Sequence, residues 1–305
     1  MSWDRVGEHV QVDERALGAA GVLARRHGRD DARRPERPAR RASGVAGMNW
    51  SRSREAQVTV NVANEAALLD DIARRLAEGR GFSVATLNLD HVVKLGRYPA
   101  FRAAYAAHSH VTADGNSVVW LSRLAGQREV ALVPGSDLIA PVAALAARAG
   151  APVGLFGATE ASLAAAARAL KAMTPGLEIA LTLAPPMGFD PAGEAADCSI
   201  RAIAESGARV VFLALGAPKQ ECFAARAQLL LPGTGFLSIG AGLDFLSGAQ
   251  KRAPAWVRAV AAEWLWRLAD NPRRLGGRYA ACLAALPTLT LQALAEGQAH
   301  RDNAG

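Results

Sequence analysis

The sequence predicts an α/β fold: a parallel sheet flanked by helices, followed by a C-terminal helical appendage. Three observations carry this. From Phe82 onward, short apolar runs alternate with helix-forming stretches of roughly 10–15 residues, the pattern of parallel βαβ units. Arg209-Val210-Val211-Phe212-Leu213 reads as a buried strand that turns through Ala214-Leu215-Gly216-Ala217-Pro218 into a helix beginning Lys219-Gln220-Glu221. Three expected strands end in polar residues: Thr86 with Asn88, Asp114, and Lys219 with Gln220. In a parallel sheet all strand C-termini share one edge, where ligands bind, so these residues can converge.

The elements follow in order. Val58-Thr59-Val60-Asn61-Val62 alternates as a strand. Asn64 is placed to cap a helix over 65–78, which Gly79-Arg80-Gly81 breaks. A strand over 82–88 leads to short helices over 89–95 and 99–107. His110-Val111-Thr112-Ala113 is a brief strand running into Asp114-Gly115-Asn116-Ser117 and a helix to 124. Ser136 or Asp137 can cap a helix over 138–148. A strand over 152–156 precedes Thr159, a cap for an Ala-rich helix to 173. A strand over 177–183, a Pro-rich loop over 184–191 and a helix over 194–205 lead to the central corner. There Gly216 lets the backbone turn, and Pro218 suits a first helical turn because its missing N–H is not needed. A strand over 236–239, a helical turn over 244–246, and helices over 254–268 and 272–286 complete the chain.

The chain has 305 residues, half of them hydrophobic, and a net charge of +7. Much of the basic excess lies in the first 55 residues and after Lys251. Residues 1–55 carry Arg25-Arg26 and Arg33-Arg34-Pro35 through Arg40-Arg41 without apolar periodicity. They are expected to be a disordered basic extension, and Met48 is an alternative start. Residues 56–253 would form the core and 254–305 the appendage. No aromatic residues interleave the N-terminal arginines and no RRM, zinc-finger or basic-zipper pattern occurs, so nucleic acid is not an expected partner. Cys198, Cys222 and Cys282 suit neither a disulfide framework nor a metal cluster and fit a reducing cytoplasm. No apolar run suits a signal peptide. The apolar stretch over 279–295 contains Pro287; it is too short to span a membrane but could lie on one.

Asp114 is the only carboxylate that directly follows an expected strand and precedes a helix among small residues; an ordinary Asp-Gly turn or helix cap is the alternative. His91 reads as structural. His108 and His110 have H-x-H spacing without further ligands, so no metal site is expected. Gly157-Ala158-Thr159 and Gly240-Ala241-Gly242 could cradle phosphates, but neither is a dinucleotide fingerprint or a P-loop. This argues against a nicotinamide enzyme and an ordinary NTPase, and no cofactor is expected. A missing G-x-S-x-G argues against an α/β-hydrolase.

One family is matched by an ordered series of segments. They are Thr86-Leu87-Asn88-Leu89-Asp90-His91-Val92, Ala113-Asp114-Gly115, Pro134-Gly135-Ser136-Asp137-Leu138 and Gly216-Ala217-Pro218-Lys219-Gln220-Glu221. Ile239 through Gly248, Lys251-Arg252-Ala253-Pro254 and Glu263-Trp264-Leu265-Trp266-Arg267-Leu268 follow. Together they resemble the WecG/TagA/CpsF glycosyltransferases. The resemblance implies a Rossmann-like core and transfer of a sugar, of glucuronic acid or N-acetylmannosamine type, from a UDP-sugar to a polyprenyl-diphosphate-linked acceptor. It implies inversion without a bound metal, on the cytoplasmic face of the membrane, in surface polysaccharide synthesis. The general base falls on Asp114, with Thr86 and Gln220 as further catalytic positions. Asn88, Lys219, Gly216, Gly240 and Gly242 fall at substrate-binding positions. The appendage would supply Arg267, Arg274 and Arg278 over the site and touch the membrane surface, and a homo-oligomer is compatible. One departure stands out: the arginine often found before the Pro134-Gly135 segment is Leu132 here. A non-catalytic nucleotide or lipid binder with this fold is the alternative; Asp114 and Gln220 argue against it.

Overall fold

The computed structural model describes residues 47–53, 55–250, 254, 263–270 and 272–302. The extension before residue 47 lies outside the described residues, as do Lys251, Arg252, Trp256 and Arg258. So do the side chains of Arg267 and Arg274.

Six parallel strands form one sheet: β1 (Phe82–Leu87), β2 (His110–Ala113), β3 (Val153–Gly157), β4 (Ile179–Leu183), β5 (Val210–Ala214) and β6 (Gly235–Ser238), in the order β2-β1-β6-β5-β3-β4. The helices are α1 (Glu65–Ala77), α2 (Leu89–Arg97), α3 (Pro99–Ala107), α4 (Asn116–Leu124), α5 (Ile139–Arg148) and α6 (Glu160–Met173). After them come α7 (Glu194–Ser206), α8 (Lys219–Leu230), α9 (Gly242–Leu246), α10 (Glu263–Asp270) and α11 (Pro272–Asp302). This is the α/β, Rossmann-like architecture expected.

The interior strands β1, β3, β5 and β6 are buried along most of their length, as a sheet covered on both faces requires. On one face Phe82, Val84, Leu155 and Phe212 pack against α1, α5 and α6. On the other, Phe156, Leu213 and Phe236 pack against α7 and α8, and Ala85 and Leu87 against α2 and α3. The strand that closes the sheet is the last in sequence. β6 inserts between β1 and β5, so its terminal loop lies between the ends of those two strands.

Local expectations hold where a side chain can reach a free N–H. Asn64 accepts from Ala67 N at 3.0 Å and Thr159 from Ser162 N at 3.2 Å, satisfying helix N-termini. Others differ. Residues 58–62 keep the alternation, with Val58, Val60 and Val62 buried, but form no strand. Asn61 N donates to Val111 O, and the Asn61 side chain takes Val111 N at 2.7 Å, the bond a ladder would use. Neither Ser136 nor Asp137 caps α5; its first turn begins at Leu138 without a side-chain cap. The packed chain also starts earlier than the expected 56: Met48 and Trp50 are wholly buried beside Val58, Val111 and Leu289.

The largest difference is α11, expected to end near 286. It runs unbroken through Pro287 to Asp302. Proline there removes one backbone hydrogen bond, but Cys282, Leu289 and Ala293 are buried on the inner side of the same helix and hold both halves in line. Its outer side exposes Leu283, Leu291 and Leu294.

Candidate active site

The sheet gathers the polar strand ends at its carboxyl edge. From β2 to β5 the edge presents Asp114, then Thr86 and Asn88, then Gly240, then the corner from Gly216 to Gln220. Backbone bonds tie neighbouring ends together: Asp114 N donates to Leu87 O at 2.8 Å, and Ile239 N to Leu213 O at 3.0 Å.

Asp114 is not the helix cap. That position belongs to Gly115, at φ +110°, without a side-chain bond, so Asp114 sits one residue before the cap of α4. Beside it runs the Leu132 segment. Leu132 pairs with Ala113 in an isolated parallel bridge, and Val133 N donates to Ala113 O at 2.8 Å. Leu132 is 42 % exposed, an apolar side chain on the segment that pairs with the end of β2. Gly135, three residues on, comes so close to the ends of β1 and β6 that a Cβ there would lie 2.9 Å from Ser238 O and 3.2 Å from Thr86 Cγ2. Thr86 is therefore almost wholly buried under this loop.

Asn88 caps α2: its Oδ1 accepts from His91 N at 3.0 Å. Below it, Tyr105 Oη donates to Thr86 O at 3.1 Å and lies 2.7 Å from His91 Nδ1. The phenol has one hydrogen, so His91 donates from Nδ1. Burial, with Lys94 nearby, pushes the His91 pKa down to about 3 and keeps the ring neutral. His91 is structural, as expected, but its partner was not foreseen.

The β5–α8 corner places Gly216 at φ +72°, the left-handed region glycine tolerates. Lys219 and Gln220 open α8. Gln220 is buried and bridges two elements: its Oε1 accepts from Gly240 N at 3.2 Å, and its Nε2 donates to Glu221 Oε1 at 2.8 Å. Glu221 is wholly buried, and its Oε2 has no partner. Burial pushes its carboxyl up to about 7 against the stabilising bond from Gln220. Gly242 is closely packed: a Cβ there would stand 2.5 Å from Ile139 Cδ1.

Of the three appendage arginines, Arg278 is the one whose side chain is described. It forms a forked pair with Asp90, Nε at 3.2 Å and Nη2 at 2.5 Å. Lys94 Nζ joins the same carboxylate at 2.8 Å and also reaches Ala217 O at 3.3 Å. Burial raises the Asp90 carboxyl, but Arg278 and Lys94 outweigh it and hold it down at about 2. A chain of charges thus runs from α11 through α2 to the Gln220 corner.

The two histidines of the H-x-H pair face elsewhere. His108 Nδ1 contacts Ala104 O at 2.7 Å, and burial lowers its pKa to about 4. His110 Nε2 meets Asp71 Oδ2 at 2.8 Å. Among the described residues, no group of three or more His, Cys, Asp or Glu could hold a metal ion.

Sequence reasoning missed the contacts of Tyr105, Asp90, Lys94 and Glu221. Tyr105 reaches Thr86 only because α3 folds back beneath β1, which no local pattern records. Glu221 lay within a quoted motif, and its place beside Gln220 was the available signal.

The comparisons agree with this architecture. The model of the glycosyl transferase WecG/TagA/CpsF family matches residues 55–303. Over 204 residues, the chain is 29 % identical to N-acetylglucosaminyldiphosphoundecaprenol N-acetyl-beta-D-mannosaminyltransferase of Bacillus spizizenii. That stretch is 65 % of this chain and 75 % of the relative. A parallel sheet with its polar strand ends at one edge, matched over most of its length by a single family, makes this chain a glycosyltransferase of the WecG/TagA/CpsF family.

Proposed function

We propose that the enzyme transfers a sugar from a UDP-sugar to a polyprenyl-diphosphate-linked saccharide, inverting the anomeric carbon, with Asp114 as general base. The observation that carries this is Asp114 itself: a carboxylate outside the helix cap, at the same sheet edge as Thr86, Gln220 and the first turn of α8. The acceptor hydroxyl is a poor nucleophile, and a carboxylate within reach removes its proton as its oxygen attacks C1. The bond from C1 to the diphosphate oxygen breaks on the opposite face, and UDP departs. Its growing negative charge is met by Lys219 and by Arg278, with no metal required. The relative's name makes N-acetylmannosamine the donor sugar to test first. The exposed Leu132 would leave the acceptor side of the rim less basic than in family members with arginine there.

A lipid-linked acceptor is consistent with an enzyme that works at the cytoplasmic face of the membrane. Residues Leu275–Asp302 are long and apolar enough to cross a bilayer by length and composition. Their inner side is committed to the core at Leu289 and Ala293, which favours lying in the interface over spanning. Trp264 and Trp266 on α10 are exposed, and Trp264 packs edge-on against Tyr279 of α11. Such aromatics suit the headgroup level.

Asp114→Asn should leave UDP binding near normal while turnover falls by about two to four orders of magnitude, the range for a lost general base. Calorimetry with UDP and transfer from UDP-N-acetylmannosamine to a lipid-linked N-acetylglucosamine give the two readouts. Undiminished turnover would remove Asp114 from the role.

A further inference from the structure

Glu221 has no place in the mechanism above, yet it is wholly buried next to Gln220 at the sheet edge. Its carboxylate and the Gly240 N–H grip the Gln220 amide from opposite ends. The Gly240 N–H can only donate, so it requires the amide oxygen; an ionised Glu221 can only accept, so it requires the amide nitrogen. The two partners agree on a single orientation. Without Glu221, Gln220 would lose the acceptor that holds its nitrogen, and the amide could swing away from the β6 loop.

The carboxylate is a costly way to fill this space. Its second oxygen is buried without a hydrogen-bond partner, and an unpaired buried polar atom destabilises a fold. Lys94 stands near enough to favour its charge but makes no hydrogen bond to it, being held by Asp90 and Ala217 O. An apolar side chain of similar size would pack here at lower cost. Costly buried groups of this kind concentrate where function fixes them.

We infer that Glu221 is a positioning residue, whose buried carboxyl fixes the Gln220 amide in the orientation used for transfer. The inference rests on the reading that Gln220 meets substrate. If Glu221 acts through Gln220, removing either should break the same device, and the two losses should not add.

The test is a double-mutant cycle in the full chain, with transfer measured from UDP-N-acetylmannosamine to lipid-linked N-acetylglucosamine. Glu221→Leu and the smaller Glu221→Ala are both made, and the cycle uses whichever gives a folded melting transition. It should lower kcat by about 10- to 100-fold, the cost of a misplaced group, with the donor KM changed less than about threefold. Glu221→Gln keeps an acceptor for the Gln220 nitrogen and should stay within about threefold of wild type. The variant combining Gln220→Ala with the Glu221 change should be no slower than Gln220→Ala alone. A simple packing role would lower the melting temperature without this kcat-against-KM split and without rescue by glutamine. Additive losses, or a Glu221 variant as fast as wild type while Gln220→Ala is slow, would overturn the role of Glu221 and leave Gln220 in place. Full turnover by Gln220→Ala would instead overturn the reading of Gln220 itself, and the inference with it.

Discussion

A single buried carboxyl gives the site a measurable pH signature. The Glu221 pKa is raised by burial from 4.5 to about 7, with Asp90, Lys94, Tyr105 and Gln220 around it. Well below pH 4.5 the group is neutral whether folded or unfolded, and stability does not depend on pH through it. Above that pH the unfolded chain ionises first, so stability falls as pH rises, levelling off once the folded group ionises near 7. Glu221→Gln cannot ionise and lacks this slope. Its stability relative to wild type should therefore improve by on the order of 3 kcal/mol between pH 4.5 and pH 8. Denaturant melts at the two pH values give the comparison. An equal gap at both would mean that the carboxyl does not titrate in this window. Cys222, the next residue, is pushed up to about 12 by burial and by Glu221, so it stays a thiol throughout.

Among the elements, α11 carries the clearest division of labour. Its inner side closes the core around Leu289 and Ala293, and Arg278 near its start is anchored on Asp90. Its outer side, with Leu283, Leu291 and Leu294, makes no such commitment. Removing the whole helix would strip the cover from Met48, Trp50 and Val111, so deletion cannot separate folding from membrane binding. Changing Leu283, Leu291 and Leu294 together to Glu can. Exposed substitutions usually alter stability by less than about 0.5 kcal/mol each, so the protein should remain folded. Flotation with anionic vesicles should be lost, because apolar contact is removed and like charge added. Flotation equal to wild type would place the membrane contact elsewhere.

At the scale of the whole molecule, the packing among the described residues extends back to Met48 and Trp50, both buried against residues far along the chain. A protein lacking residues 1–46 should fold and keep its transfer activity. Trp50→Ala should cost about 3–5 kcal/mol, the usual loss for a large buried aromatic. Thermal and denaturant midpoints of the two variants test this. An unchanged midpoint for Trp50→Ala would show that this segment is not part of the core.

By itself the sequence determined the kinds of element and what their ends carry. Short apolar runs and helical patterns mark β1 through β6 and most helices to within a few residues, because local burial and capping follow from neighbouring side chains. The polar residues closing three strands, together with the parallel alternation, were enough to expect one site holding Asp114, Thr86 and Gln220 on one edge. Tertiary structure alone decided the strand order. Interior parallel strands are apolar on both faces, so Val210-Val211-Phe212 does not encode whether β3, β6 or both lie beside it. The insertion of β6 between β1 and β5 is what brings Gly240 to Gln220. Tertiary packing also carried α11 through Pro287, against local propensity, because burial of Leu289 and Ala293 outweighs one lost hydrogen bond. The partners of His91, Asp90 and Glu221 were settled in the same way. Each is a contact between side chains brought together by packing, and the energy of burying a charge or a hydroxyl depends on those neighbours, which a linear sequence does not contain.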